Sequence, residues 1–142
     1  FHNYTIQKTF KDPSAKRHIK SFNVNTTPVV MNGTEWLSLK VHGQSFMMHQ
    51  IRKMVAMASL VVRCGCHPDR IKEAYGPDRI AIPKAPGLGL LLERPIFDSY
   101  NAKASTLGRG PVHFEKFTKE MDEFKQREIY DRIFREEEET SA

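Results

Sequence analysis

His49, Arg52 and Lys53 stand three and four residues apart inside the stretch Gly43-Gln-Ser-Phe-Met-Met-His-Gln-Ile-Arg-Lys-Met54. On a helix this spacing turns all three basic side chains toward one flank. Each brings a different chemistry. An arginine presents a planar fork that grips a carboxylate or phosphate through two parallel hydrogen bonds. A lysine offers a compact charge to a phosphate, and an imidazole can orient a neighbour or exchange a proton near neutral pH. The competing assignment for the arginine is a solvated or snorkelling side chain on the polar side of an apolar helix. A second cluster, Cys64-Gly-Cys66-His67, has thiol and imidazole donors for zinc, but a four-ligand site would need partners from distant positions and the chain has no other cysteine. No metal is therefore assigned. Neither a P-loop nor a G-x-G-x-x-G pattern is present, and no Ser-His-Asp arrangement follows from spacing.

The elements expected to position the basic trio lie on either side of Gly43. Upstream, Leu37, Leu39 and Val41 alternate with Ser38, Lys40 and His42, the period of a half-buried strand that Gly43 then breaks. Downstream, Ser45 is the expected N-cap of a helix that begins at Phe46 and buries Met48, Ile51, Val55, Ala58 and Val62. The trio would thus sit at the mouth of a strand–helix junction.

Further out, Phe1–Ile6 reads as a short strand, followed by the basic run Lys8, Lys11, Lys16, Arg17 and Lys20, with a turn at Asp12-Pro13-Ser14. His18 to Val24 is a second strand ending at Asn25-Thr26-Thr27-Pro28, and Asn32-Gly33 joins Val29-Val30-Met31 to a strand near Glu35. The expectation is an antiparallel meander leading into the central helix. Asp69 to about Ala74 is a short helix stopped by Gly76-Pro77. Ala85-Pro86-Gly87-Leu88-Gly89 is a loop of small residues, and Leu90-Leu91-Leu92 opens an apolar strand in which Leu92 is assigned to the core. Asn101 to Pro111 reads as a mobile linker. Phe114, Phe117, Met121 and Phe124 return to helical spacing, with another helical piece around Ile129–Phe134 and a frayed, like-charged end over Glu136–Glu139 and Thr140-Ser141-Ala142.

With 142 residues, 39% hydrophobic and 27% charged, the chain has the composition of an ordinary globular domain. A net charge of +5 suits an anionic partner such as RNA without requiring one. No apolar run reaches the length of a membrane span, and the N-terminus lacks the order of a signal peptide. Two cysteines one residue apart cannot staple a fold, so a reducing compartment is the default. The start at Phe1 rather than Met suggests a fragment or a processed product.

The Gly43–Met54 stretch, the later Lys84-Ala-Pro-Gly-Leu-Gly-Leu-Leu-Leu92 and the opening Phe1-His-Asn-Tyr-Thr5 together resemble the C-terminal half of TruA-like tRNA pseudouridine synthases, most closely the eukaryotic synthase 1 branch. The resemblance implies an α+β fold, an antiparallel or mixed sheet with helices on one face. Residues 1–100 would be the C-terminal lobe of the synthase, and residues 101–142 a loop and helical extension with an acidic tail. It implies isomerisation of uridine to pseudouridine in folded tRNA without a cofactor, on a nucleotide flipped out of its stack. The family's catalytic aspartate lies in an Arg-Thr-Asp-Lys-Gly-Val-like segment of the N-terminal half. No such segment occurs here, and none of Asp12, Asp69, Asp78 and Asp98 has a matching context.

By the same resemblance, Arg52 matches the arginine that pairs with that aspartate, and Leu90 the apolar residue that packs on the uracil. Phe46, His49 and Lys53 fall on the substrate side, and Phe1-His2-Asn3 either lines the cleft or packs. Ala56 stands where the family often has glycine, a packing difference. The implied partners are tRNA, other structured RNA and the N-terminal lobe, with no membrane; the implied compartment is nucleus or mitochondrion. Two other classes remain open, a noncatalytic RNA-binding module and a structural interaction domain with incidental charge. The target uridines are not written in the residues.

Overall fold

A computed structural model describes residues 1–25 and 27–140. Thr26, Ser141 and Ala142, which fall in the expected strand end and frayed terminus, lie outside the described residues. The fold is α+β, with helices and small antiparallel sheets. Phe1–Gly87 and Leu88–Ala142 each form a compact unit.

In the first unit, strand β1 (Ile19–Val24) runs antiparallel to β4 (Leu39–Gly43), with Phe22 opposite Val41 and Val24 opposite Leu39. Between them β2 (Val29–Met31) and β3 (Thr34–Trp36) form a separate hairpin. Asn32 and Gly33 turn it with φ of 49° and 76°, the paired positive values that a type I′ turn requires and that this dipeptide tolerates. The order is therefore a hairpin nested within a hairpin. The expected meander is wrong because β4 returns to β1 instead of extending from β3. Leu37 precedes β4 and is exposed, as is Leu39, since only the end of the ladder near Val41 reaches the core.

That core joins Tyr4, Met54, Ala74 and Ile82, with Phe1, Ile19, Phe22, Val41, Met57 and Ile80 packed against it. Tyr4 stacks on Tyr75 with ring centroids 5.2 Å apart, and Phe1 meets both rings edge-on. The segment expected as a strand, Phe1–Ile6, is instead centred on a 3-10 turn over His2–Tyr4. The cause is Asn3, whose buried amide donates to the carbonyls of Ala74 (3.1 Å) and Asp78 (2.9 Å) and accepts from the Ile80 N–H (3.1 Å). Such tethers fix a compact turn where a ladder would leave the amide unsatisfied.

Helix α1 spans Gln50–Arg63 and α2 spans Asp69–Glu73, the latter ended by Gly76-Pro77 as expected. Helix α1 begins five residues after Ser45, which does not cap it. His49, at φ 63°, is in the left-handed region and cannot belong to a right-handed helix. The buried residues of the helix are Gln50, Met54 and Ala56, with Met57 partly buried against the core, and Met48 and Val62 of the expected stripe are exposed. Apolar residues nearly all round the sequence made the two stripes hard to tell apart.

The second unit is helical: α3 (Asp98–Thr106), a 3-10 turn (Glu115–Phe117), α4 (Thr118–Phe124), a π-helical stretch (Lys125–Tyr130) and α5 (Asp131–Thr140). The spacing of Phe114 to Phe124 foretold α4. The loop or linker expected over 101–111 is overturned at 101–106 by α3, while 107–111 carry no helix or strand; Asn101 ties the helix down by exchanging hydrogen bonds of 2.9 and 2.8 Å with the Val112 backbone. Glu136–Glu139 are helical rather than frayed, and Glu136 pairs with Arg132 one turn away. Leu90–Leu92 form no strand; Leu92 is 82% exposed and is not core. Leu91 instead turns into an apolar groove of about 340 Å³ lined by Phe117, Met121, Phe124 and Ile129.

Candidate active site

The start of α1 is shaped by bonds that reach out of the helix. The buried Gln50 side chain accepts from the Met47 N–H at 2.9 Å, and the Gln50 N–H returns to the Met47 carbonyl at 3.1 Å. The Thr5 hydroxyl donates to the Met48 carbonyl at 2.9 Å. These ties hold the Met47–Gln50 turn and force His49 into its left-handed conformation. Upstream, the Phe46 ring lies so near Gly43 that a Cβ there would be 2.9 Å from the Phe46 Cζ, which explains a glycine at the end of β4. Phe46 is 37% exposed, so it is not wholly taken up by this packing.

Arg52 is half-buried on the first turn of α1. Its Nε donates to the Ala85 carbonyl at 2.6 Å, and its own carbonyl accepts the Ala85 N–H at 3.1 Å. The guanidinium lies flat enough against the next glycine that a Cβ on Gly87 would sit 3.6 Å from Arg52 Cζ. This arrangement spends Nε on the scaffold. Among the described residues the two Nη groups have neither a hydrogen bond nor a carboxylate partner. A fork held by its stem with its prongs unused is suited to an end-on, bidentate anion.

Its neighbours are cationic. Burial, then the charges of Lys84, Arg52 and Lys53, hold the His49 imidazole below its ordinary pKa. Lys53 is likewise lowered, by burial first and then by Arg79 and Lys84. Its ammonium donates to the carbonyls of Thr5 (3.1 Å) and Asn3 (3.3 Å). None of these five groups forms an ion pair with a carboxylate among the described residues, so the patch awaits negative charge.

His49, Arg52 and Lys53 are thus brought together, though His49 precedes the helix instead of riding on it. Leu90 belongs to the second unit and is 49% exposed. Lys84 and Arg79 were missed in the sequence. Lys84 opens the Lys-Ala-Pro-Gly motif and could have been found there; Arg79 is brought in by the Asn3 tethers and has no local signal. Elsewhere, Cys64 and Cys66 are free and exposed, and His67 turns to Asp69 at 3.1 Å. Among the described residues no three His, Cys, Asp or Glu side chains converge on a metal position. In the basic run Lys8 faces Asp12 at 3.6 Å.

The sequence pattern of the tRNA pseudouridine synthase family matches residues 1–98. The chain belongs to this family. It is 54% identical over 138 residues to a protein of Eremothecium gossypii named tRNA pseudouridine synthase 1, covering 96% of this chain and 26% of that one. The Saccharomyces cerevisiae protein of the same name is 53% identical over 122 residues, covering 85% of this chain and 22% of the relative. A second Saccharomyces cerevisiae protein, tRNA pseudouridine(27/28) synthase, is 44% identical over 140 residues, covering 96% of this chain and 36% of the relative. The chain therefore spans about a fifth to a third of the curated synthases it matches.

Proposed function

We propose that this chain supplies one wall of the catalytic cleft of a tRNA pseudouridine synthase, with residues 1–100 as the lobe that faces the reacting base and residues 101–142 as its helical extension. The reaction is an isomerisation. The bond from uracil N1 to the ribose C1′ breaks, the base turns, and C5 bonds to C1′, with a proton lost at C5 and one gained at N1.

Arg52 grips the carboxylate of a catalytic aspartate from outside this sequence, in the N-terminal lobe. Family membership supports this reading, and the observation that carries it is the Arg52 guanidinium, latched at Nε to Ala85 with both Nη groups unused among the described residues. A cation at hydrogen-bond distance favours the ionised carboxylate by roughly one to three pKa units and fixes its direction. His49 stays neutral among its cationic neighbours and borders the base. Phe46, partly exposed, borders the nucleotide, and Leu90 packs on the uracil. Lys84 and Arg79, at the edge of the patch, draw RNA phosphate toward the cleft.

The experiment is to incubate a full-length synthase carrying this segment with an unmodified tRNA transcript and quantify pseudouridine in nucleoside digests. Multiple turnovers are expected, and Arg52→Met is expected to slow them severely, to a residual single-turnover rate, while leaving tRNA bound. Binding without any conversion in the unmutated protein would favour a noncatalytic RNA-binding module instead.

A further inference from the structure

We infer that Lys53, with Thr5 and Asn3, is a positioning clamp for Arg52 and makes no contact with RNA phosphate. This rests on the reading of Arg52 given above. Lysine beside a cationic cleft is ordinarily assigned to phosphate, but the Lys53 ammonium already donates to two main-chain carbonyls, at Asn3 and Thr5. Its surroundings disfavour a stray charge, because burial and the nearby Arg79 and Lys84 all lower its proton affinity. Carbonyl oxygens that accept its hydrogen bonds are what keep it there.

The clamp closes a ring of bonds. Asn3 holds the Ala74–Ile80 segment through three hydrogen bonds, and Lys53 holds Asn3 and Thr5 from α1. Thr5 in turn holds the Met48 carbonyl just ahead of the helix. On the other side of the ring, α1 and Ala85 exchange two bonds through Arg52. Arg52 and Lys53 are adjacent, so a helix start that loosens at Lys53 changes where the Arg52 fork points. A misplacement of about 1 Å in a catalytic group can reduce a rate by about 10²-fold.

The test is a cycle of Arg52→Met, Lys53→Met and the double variant in a full-length synthase, with single-turnover pseudouridine formation and tRNA Kd measured separately over a salt series. Lys53→Met is expected to lower the rate by about 10²-fold, with Kd and its salt slope unchanged. The double variant is expected to be no slower than Arg52→Met alone, because the clamp acts only through the arginine. Thr5→Val, which removes the hydroxyl at constant shape, is expected to lower the rate in the same direction, and it keeps the test open if Lys53→Met folds poorly. Lys53→Arg is expected to recover part of the rate.

A fall in the salt slope by about 0.7 to 1 would make Lys53 a phosphate contact and overturn the inference. Multiplicative losses in the double variant would overturn it as well, as would a wild-type rate per folded molecule in both Lys53→Met and Thr5→Val. A wild-type rate in Arg52→Met is a separate result and would refute the reading of Arg52 itself.

Discussion

In Phe1–Gly87 the buried Asn3 answers backbone groups 71 to 77 residues away, and Lys53 and Thr5 reach across more than forty. In Leu88–Ala142 most side-chain bonds among the described residues join neighbours within about one helical turn, such as Lys119–Glu123, Gln126–Asp131 and Arg132–Glu136. Its longer ties are exposed: Asn101 to the Val112 backbone across 11 residues, and Lys125 to Glu93, which Asp122 supplements one turn away. Local pairs hold an element in shape but say little about where another element lies. Long-range bonds to main chain do fix one residue against another, and they surround Arg52. The first unit is built to hold a geometry, the second to be helical.

If that contrast is right, the largest stability losses belong to the first unit. Tyr4 is 1% exposed at the centre of an aromatic cluster, so Tyr4→Ala is expected to cost about 3 to 5 kcal/mol, the range for a buried ring. Phe117 lines an open groove in the second unit, and Phe117→Ala is expected to cost less than half as much. Denaturant midpoints at constant slope would measure both. Equal losses would remove the contrast.

A sharper version removes polar ties. Asn3→Ala strands the buried Ala74 carbonyl, at about 1 to 3 kcal/mol for a buried group left without a partner, while the part-buried Asp78 carbonyl and Ile80 N–H add less because water can reach them. Asn101→Ala cuts two bonds of similar length in the second unit, but they are exposed and water can replace them, so the expected cost is below about 1 kcal/mol.

How far these features could be read beforehand differs by element. The Asn32-Gly33 turn, β1 and α2 were legible because each is set by its own residues. Arg52 was singled out through its motif, but its latch to the Ala85 carbonyl has no signal in the sequence. The helix start was not, since the left-handed His49 is imposed by Thr5 and by the side chain of Gln50. The 3-10 turn at His2–Tyr4 depends on Asn3 finding partners beyond residue 70. Helix α3 was hidden because it lacks an apolar stripe and is secured by Asn101 instead. Leu92 looked like core only because leucine usually is; its exposure follows from an irregular backbone that no periodicity announces.

Smaller effects separate site from scaffold. Leu92→Ala is expected to change stability by no more than about 0.5 kcal/mol, as at other exposed positions. Leu90→Ala is also expected to leave the fold nearly intact, yet to slow turnover in the full-length enzyme if this leucine packs on the uracil. An unchanged rate per folded molecule would withdraw Leu90 from the site.

The smallest expected signal is the titration of His49. Its folded pKa is held below 6.5, so just below that value the unfolded chain binds more protons than the folded one. Stability should therefore rise as pH increases through this window and be lost on acidification. Nuclear magnetic resonance should find the imidazole titrating below 6.5, and Lys84→Met should raise its pKa, because Lys84 is the foremost nearby charge. An unchanged titration would mean that the two side chains do not share a patch.

The most direct measurement of the central claim is single-turnover pseudouridine formation by Arg52→Lys in the full-length protein at saturating enzyme, with tRNA affinity determined separately. Lysine keeps the charge but has neither the Nε latch to Ala85 nor a planar fork for a carboxylate. A solvated arginine would tolerate this change, since exposed ion pairs contribute about 0 to 1 kcal/mol. The predicted result is a collapse of the rate with the fold and tRNA affinity retained, and a still slower Arg52→Met, in which the carboxylate has no partner. A wild-type rate in Arg52→Lys would contradict the account of a guanidinium held by its stem to grip a carboxylate with its prongs.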